Sequence, residues 1–272
     1  MDKYAVVGFP IGHSMSPAIH AQFAAQTGQN LSYSAIEVRP EVFDQALSDF
    51  FQSNGQGLNC TVPLKELAFE KADQLTERAQ FSGAVNTLKL MEDGSLLGDN
   101  TDGIGLLTDL TDNLGLSLLN KRVLVLGAGG AARGILGPLL EAKPSMLYLA
   151  NRTVAKAELM EKIFSPIGRI DACSYEALAG KQFDLVINAT SASLSGQLPP
   201  LADNLLASGA VCYDLAYSKK PTAFIEWANV QGAALSVDGL GMLVEQAAHA
   251  FYLWRGVMPD SELMLKAIRV AG

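Results

Sequence analysis

The chain has 272 residues, of which 49% are hydrophobic and 18% are charged, and its formal net charge at pH 7 is −8. This length is sufficient for two domains with well-developed cores. The acidic balance argues against nucleic acid or an anionic membrane surface as the main partner, because both bind basic patches.

Cysteine and histidine are scarce in this sequence. The three cysteines are too few and too scattered for a disulfide framework, and the three histidines do not complete a set of metal ligands. We therefore expect reduced thiols and no metal. The sequence opens on a strand pattern and has no long, clean apolar run, so neither a signal peptide nor a membrane span is expected. These features predict a cytoplasmic protein.

Strand and helix patterns alternate from end to end, which favours an α/β architecture with parallel sheets. The first predicted strands are Tyr4–Phe9, Leu31–Val38 and Gly57–Val62. Helices are predicted between them, at Pro17–Thr27 and Val42–Phe51. Residues 84–99 are typical of a β-hairpin, because an Asp-Gly turn at 93–94 separates two apolar runs.

Two serines lie where the first strand gives way to the first helix. Ser14 and Ser16 are followed directly by Pro17. Two hydroxyls beside free helix N–H groups can bind a carboxylate. Either serine can equally be the N-cap of the helix, with Pro17 at its first position.

Lys65 and Asp102 are candidates for acid–base chemistry. Lys65 closes the segment Asn59-Cys-Thr61-Val-Pro63-Leu-Lys65, and Asp102 lies in a polar turn after the predicted hairpin. A lysine beside an aspartate can exchange a proton in the interconversion of an alcohol and a ketone. Alternatively, Lys65 is a solvated lysine at a helix start and Asp102 is a helix N-cap. The residues leave open which member of the pair takes the proton.

The segment from Arg122 to Thr153 is typical of a dinucleotide site. An apolar strand, Arg122–Leu126, leads into Gly127-Ala-Gly-Gly-Ala-Ala132 and a helix, and a second strand, Met146–Ala150, ends in Asn151-Arg152-Thr153. The glycines let backbone N–H groups approach a pyrophosphate. Arg152, with no carboxylate nearby, favours the 2′-phosphate of NADP over NAD, although a solvated surface arginine is the alternative.

The remaining elements predict a discontinuous first domain. Strands are predicted at Phe183–Asn188, Val211–Leu215 and Ala234–Val237, and helices follow at Met242–Trp254 and Ser261–Val270. A dinucleotide domain ends with its last parallel strand, so the final helices are expected to cover the first domain. We predict an α/β substrate domain of residues 1–103 and 240–272. A Rossmann-type NADP-binding domain would span residues 104–239, with the site in a cleft between the two.

The segment Asp238-Gly-Leu-Gly-Met242 begins the final helical region. Its glycines would let the backbone pass close to a nicotinamide, and Gln246 follows Met242 by about one helical turn. Packing or surface exposure is the alternative for Met242 and Gln246. His249, on an otherwise apolar helix, is interpreted as a structural histidine.

Together these segments resemble the shikimate dehydrogenase family over essentially the whole chain. The similarity is carried by motifs in the family's order: Gly-x-Pro-x-x-His13-Ser14-x-Ser16-Pro17, Asn59-x-Thr61-x-Pro63-x-Lys65, Gly83-Ala-Val-Asn86-Thr, Asp99-Asn-Thr-Asp102-Gly103, Gly127-Ala-Gly-Gly-Ala-Ala132, Asn151-Arg152-Thr153 and Asp238-Gly-Leu-Gly-Met242.

This resemblance implies reversible, NADPH-dependent reduction of 3-dehydroshikimate to shikimate, on the route to aromatic amino acids, with Lys65 and Asp102 as the catalytic pair. It implies a set of residues around the substrate: Ser14, Ser16, Asn59, Thr61, Asn86, Asp102, Tyr217 and Gln246. It implies a second set around NADP(H): Gly127, Ala128, Gly129, Gly130, Ala131, Asn151, Arg152, Thr153, Lys156, Thr190, Ser191, Leu215, Gly239 and Met242.

Two alternatives stay open at this point. One is an enzyme that also uses quinate and accepts NAD, against which Arg152 argues. The other is a non-catalytic NADP-binding regulator on the same fold, against which the retention of both Lys65 and Asp102 argues. The expected partner is a small-molecule substrate, and the chain is expected to be a monomer or a homodimer.

Overall fold

Two six-stranded sheets are present in the computed structural model, which describes residues 1–190, Ala192 and residues 196–271. The chain divides into a first unit, Met1–Leu106 with Leu243–Gly272, and a second unit, Leu107–Met242. The predicted α/β architecture is confirmed.

The strands are β1 Asp2–Gly8, β2 Leu31–Glu37, β3 Gly55–Cys60, β4 Gln74–Leu75, β5 Thr87–Leu90, β6 Leu96–Asp99, β7 Arg122–Leu126, β8 Met146–Ala150, β9 Ile170–Cys173, β10 Phe183–Asn188, β11 Leu206–Asp214 and β12 Leu235–Val237.

The α-helices are α1 Ser16–Thr27, α2 Phe43–Gln52, α3 Lys65–Lys71, α4 Glu77–Ser82, α5 Asp102–Thr108, α6 Gly130–Glu141, α7 Val154–Phe164, α8 Ala223–Val230, α9 Leu240–Arg255 and α10 Ser261–Ala271. A π-helical turn, Asp109–Asn113, continues α5. Of the described helices, none is long and apolar enough to cross a bilayer.

The sheet of the first unit is mixed, in the order β2-β1-β3-β5-β6-β4. Strands β1, β2 and β3 run parallel, whereas β5 is antiparallel to both β3 and β6. The antiparallel part is the predicted hairpin, with its turn around Gly94, which has a φ of +85°. Helix α9 contacts this sheet through Trp254, whose indole N–H donates to the Leu88 carbonyl oxygen at 3.0 Å.

All neighbouring strands of the second sheet are parallel, in the order β12-β11-β10-β7-β8-β9. Strands β7 and β10 are adjacent although β8 and β9 lie between them in sequence. The strand order therefore reverses between β7 and β10. In open parallel sheets, ligands bind outside the carboxyl ends of the strands at such a reversal.

His20 is buried among aromatic side chains in the first unit. It is 1% exposed, and its ring stacks on Tyr33 with centroids 4.1 Å apart and an interplanar angle of 6°. Among the described residues, neither ring nitrogen has a hydrogen-bond partner. Because burial disfavours the charged imidazolium, the pKa of His20 is lowered to about 3.

We expect His20→Phe to flatten the dependence of stability on pH between about pH 6.5 and 5. An unfolded histidine has a pKa of about 6.5, so below that value the unfolded state takes up a proton that the folded state refuses. The wild type should therefore lose about 2 kcal/mol more unfolding free energy across this window than the variant. Urea titrations at several pH values measure this, and parallel curves would contradict it.

Candidate active site

Lys65 and Asp102 form an ion pair in the first unit. Lys65 is the first residue of α3 and Asp102 is the first residue of α5. The Lys65 Nζ lies 2.5 Å from the Asp102 Oδ2, and the two side chains are 14% and 8% exposed. Lys65 is thus not a solvated lysine at a helix start.

The structure also decides against Asp102 as a helix N-cap. Its carboxylate accepts from Lys65 and, at 2.8 Å, from the Asn86 amide. The backbone N–H of Asp102 instead donates to the Asn100 side-chain oxygen at 3.1 Å. Asn100 therefore satisfies the start of α5, which leaves the Asp102 carboxylate to the ion pair.

Asn86 connects the ion pair to the hairpin. Its amide nitrogen also lies 3.0 Å from the Thr101 Oγ1 and 3.4 Å from the Gln246 Oε1. Its amide oxygen accepts from the Thr101 backbone N–H at 2.9 Å and from the Thr87 hydroxyl at 2.8 Å. The buried Asn86 side chain thereby fixes the loop that carries Asp102 against β5.

Asn59 extends this network toward the start of α1. Its amide nitrogen donates to the Asn86 carbonyl oxygen at 3.1 Å, and its amide oxygen accepts from the Tyr33 hydroxyl at 2.7 Å. The Tyr33 ring in turn stacks on His20 of α1. The structure therefore brings Asn59, Asn86, Asp102 and Lys65 into one connected set, with Tyr33 as a member that sequence reasoning did not identify.

The two serines at the start of α1 differ in their surroundings. Ser14 accepts a hydrogen bond from the Ser16 backbone N–H at 3.3 Å, but the N-cap of α1 is Met15 and no side chain caps the helix, so neither serine is its N-cap. Ser16 is the first residue of α1 and is buried.

The other two residues predicted to contact substrate from the first unit are Thr61 and Gln246. Thr61 lies directly after β3 and is half-buried. The Gln246 amide nitrogen donates to the Leu243 carbonyl oxygen at 2.8 Å.

Arg78 is a second residue that sequence reasoning missed. Its Nε donates to the Asp99 Oδ1 at 2.7 Å, and the Thr76 hydroxyl donates to the same oxygen at 2.6 Å. Burial acts to raise the pKa of Asp99, but the hydrogen bonds and charge of Arg78 outweigh it and hold that pKa below its usual value. Asp99 also accepts from the Asn100 backbone N–H, so Arg78 supports the loop leading to Asp102.

In the second unit, the glycine-rich turn lies between β7 and α6. Gly127 has a φ of +98°, and a Cβ there would lie 2.9 Å from the Thr190 methyl group. A Cβ added at Gly129 or Gly130 would meet no described atom within 4 Å, apart from its neighbours in the chain and the backbone of its own helix. The start of α6 therefore offers free space beside helix N–H groups, which fits a dinucleotide pyrophosphate.

Asn151 ties this turn to the end of β8. Its side-chain oxygen accepts from the Ala128 backbone N–H at 3.2 Å, and its amide nitrogen donates to the Thr153 carbonyl oxygen at 2.8 Å. Arg152, Thr153 and Lys156 are exposed. An exposed arginine with no acidic residue between positions 150 and 157 fits an adenosine 2′-phosphate.

The ends of β10 and β11 lie beside the turn. The Thr190 hydroxyl donates to the Asn188 side-chain oxygen at 2.7 Å, and the Leu215 N–H donates to the Asn188 carbonyl oxygen. A Cβ at Gly239 would lie 2.2 Å from the Leu215 carbonyl oxygen, so only glycine fits there. Tyr217 is half-buried in this unit after β11.

Ser191 lies outside the described residues, so its predicted contact with the cofactor has no structural account. Within the described part of the chain, no group of three or more His, Cys, Asp and Glu side chains is placed to hold a metal ion.

Comparison with known proteins gives consistent matches along the chain. Family models match for the shikimate dehydrogenase substrate binding domain over residues 6–88 and for shikimate / quinate 5-dehydrogenase over residues 109–195. The model for the shikimate 5′-dehydrogenase C-terminal domain matches residues 239–269.

Full-length relatives extend this similarity. Shikimate dehydrogenase (NADP(+)) of Methylococcus capsulatus is 57% identical over 267 residues, which cover 98% of this chain and 96% of that protein. The protein of the same name from Alkalilimnicola ehrlichii is 54% identical over 98% of both chains. The crystal structure of Thermus thermophilus shikimate 5-dehydrogenase in complex with NADP(H) and shikimate is 35% identical, with a TM-score of 0.87 and complete coverage of both chains.

We expect Gly127→Ala to destabilise the protein. The left-handed backbone and the close Thr190 methyl group both oppose a Cβ, and a strained residue of this kind costs about 1–3 kcal/mol. Gly130→Ala is the matched control, because its Cβ would meet no described atom within 4 Å. Urea unfolding without cofactor should show a lower free energy of unfolding for Gly127→Ala only. Equal losses of unfolding free energy in the two variants would contradict the strain assigned to the Gly127 backbone.

Proposed function

Because this chain belongs to the shikimate dehydrogenase family, we propose that it is an NADP-dependent oxidoreductase that reversibly reduces 3-dehydroshikimate to shikimate. The observation that carries this function is the ion pair of Lys65 and Asp102, 2.5 Å apart and largely shielded from solvent. It lies in the unit whose residues 6–88 match the family's substrate binding domain.

We assign the substrate contacts to the network around this pair. Ser14 and Ser16, with Tyr217, would hold the substrate carboxylate through hydroxyl groups. Ring hydroxyls would be hydrogen-bonded by Asn59, Thr61, Asn86, Asp102 and Gln246. The hydrogen bonds that join Asn59, Asn86 and Asp102 support this assignment, because they give the polar groups fixed positions before substrate arrives.

The Lys65–Asp102 pair would exchange the proton of the reaction. When bound, NADPH supplies hydride from its nicotinamide ring to the ring ketone. The ketone oxygen then gains negative charge, and the pair delivers a proton to it. In the reverse direction the pair accepts the proton of the shikimate hydroxyl. Asn86 donates to the Asp102 carboxylate and would hold it in place while the pair acts.

The cofactor would be held by the loops at the carboxyl ends of the second sheet. The backbone of residues 127–131 would contact the pyrophosphate at the start of α6. Arg152, with Asn151, Thr153 and Lys156, would bind the adenosine 2′-phosphate. The residues bordering the remainder would be Thr190, Ser191, Leu215, Gly239 and Met242.

Quinate is the second substrate to test, because the family model matching residues 109–195 is described for shikimate and quinate together. The shielded Lys65–Asp102 pair argues against a binding protein without catalysis. The division into a substrate domain of residues 1–103 and 240–272 and an NADP domain of residues 104–239 stays a prediction. So do the cytoplasmic location and the choice between monomer and homodimer.

The direct test follows the absorbance of reduced nicotinamide with shikimate or quinate, each with NADP+ or NAD+. We expect turnover with shikimate and NADP+.

Arg152→Gln should raise the KM for NADP+ roughly tenfold or more, the effect of losing a charge-assisted hydrogen bond, and leave activity with NAD+ unchanged. Arg169→Gln, at an exposed arginine of the same unit, is the control. Equal losses with both cofactors would refute phosphate recognition by Arg152.

We expect Lys65→Ala to lower kcat roughly 10²–10⁴-fold, the usual effect of removing a general acid–base, with a smaller change in KM. Lys71→Ala is the matched control. Lys71 lies on the same helix and pairs with Asp44 at the same 2.5 Å, but its side chain is 38% exposed. A near-normal kcat in Lys65→Ala, or equal losses in the two variants, would contradict the assigned role.

A further inference from the structure

Tyr213 and Asp109 form a buried polar pair in the second unit. Tyr213 lies on β11 and is fully buried, and Asp109 begins the π-helical turn and is 2% exposed. The Tyr213 hydroxyl donates to the Asp109 Oδ2 at 2.7 Å. The Asn113 amide donates to the other carboxylate oxygen at 2.9 Å.

This pair is built against the start of α9. The Met242 backbone N–H donates to the Tyr213 hydroxyl oxygen at 3.1 Å. A Cβ at Gly241 would lie 2.1 Å from the Asp109 carboxylate oxygens, so the backbone of Gly241 packs directly on that carboxylate. The Leu240 N–H donates to the Asp238 side chain at 3.3 Å. Asp238 and Tyr213 thus satisfy two of the free N–H groups in the first turn of α9.

The direction of each hydrogen bond is fixed by the chemistry of the groups. A carboxylate can only accept, so the single Tyr213 proton is directed at Asp109, and the hydroxyl oxygen is left to accept from Met242. Burial, and then the neighbouring Asp109 charge, raise the pKa of Tyr213 well above its ordinary value, so the hydroxyl keeps this proton. The negative carboxylate also lies favourably at the positive end of the helix dipole.

We propose that Tyr213 and Asp109 are positioning residues for the nicotinamide half of the cofactor. They fix the Gly239–Met242 segment, which is assigned to that half, by holding the Met242 N–H and the Gly241 backbone. This inference rests on the proposed function, because it takes NADP(H) as the ligand of that segment. The adenosine half is assigned to the turns after β7 and β8, whereas the described hydrogen bonds of this pair run to Asn113 and Met242.

The test compares the whole cofactor with a probe for its adenosine half. Tyr213→Phe removes the hydroxyl and frees the Met242 N–H, so kcat/KM for NADP+ should fall tenfold or more. Small displacements of a reacting group have effects of this order. The dissociation constant for adenosine 2′,5′-bisphosphate, measured by calorimetry, should stay within about twofold of the wild-type value, because a single half of the site is altered.

Two further variants make the comparison specific. Asp109→Asn keeps an acceptor for Tyr213 but removes the charge, so it should show the same pattern at roughly threefold, a partial rescue relative to Tyr213→Phe. Tyr148→Phe is the control, since Tyr148 lies on β8 of the same sheet and packs on Phe183. Tyr148→Phe should leave both kcat/KM for NADP+ and the dissociation constant for adenosine 2′,5′-bisphosphate unchanged. If Tyr213→Phe does not fold in a thermal melt, Asp109→Asn carries the test.

The inference is overturned if affinity for adenosine 2′,5′-bisphosphate falls in parallel with kcat/KM, which would indicate general distortion of the unit. It is also overturned if neither variant changes the kinetics. Failure of the proposed function gives a different result, namely a wild-type protein that turns over neither shikimate nor quinate. In that case the dissociation constants of NADPH and of the bisphosphate, compared in the same variants, still test the positioning role.

Discussion

A shielded ion pair is the constraint around which the first unit is built. Removing an ammonium and a carboxylate from water is costly unless both are paired and hydrogen-bonded. Asp102 meets this requirement through Lys65 and Asn86, which occupy both of its oxygens. Asn86 is in turn fixed by Thr87 and Thr101, so the charge lies in a site whose hydrogen bonds are largely complete. Such a site keeps its geometry without substrate.

The mixed topology of the first sheet brings the residues of this ion pair together. Asn86 precedes β5 and Asp102 follows β6, and the antiparallel register pairs Thr87 with Asp99. The two ends of the hairpin therefore meet, which brings Asn86 and Asp102 within hydrogen-bond reach. Lys65 follows β3, and β3 pairs with β5 on the side of β5 that faces away from β6. If β5 and β6 were parallel, the start of β5 and the end of β6 would lie at opposite ends of the strands. The hydrogen bond between Asn86 and Asp102 would then be lost.

Sequence reasoning succeeded where a feature is local. The hairpin followed from its Asp-Gly turn, and the dinucleotide unit followed from glycines between an apolar strand and a helix. It failed where the decisive contact is distant in the chain. Arg78 supports Asp99 from a helix that was not predicted, and Tyr33 reaches Asn59 across β1. Strand β9 was missed because a run of four residues is too short to show a clear period.

The two phosphate-binding turns proposed for the second unit are mechanically connected, and Asn151 is the connection. Both polar ends of its side chain are used by backbone groups, one in the glycine-rich turn and one at Thr153. The turn carrying Arg152 is therefore held at a fixed place relative to the start of α6. Since the pyrophosphate and the 2′-phosphate belong to one ligand, holding their two binding sites at a fixed separation reduces the ordering that binding requires. Under the proposed assignment, cofactor preference would depend on two residues of different kinds, the arginine that supplies the charge and the asparagine that sets where that charge lies.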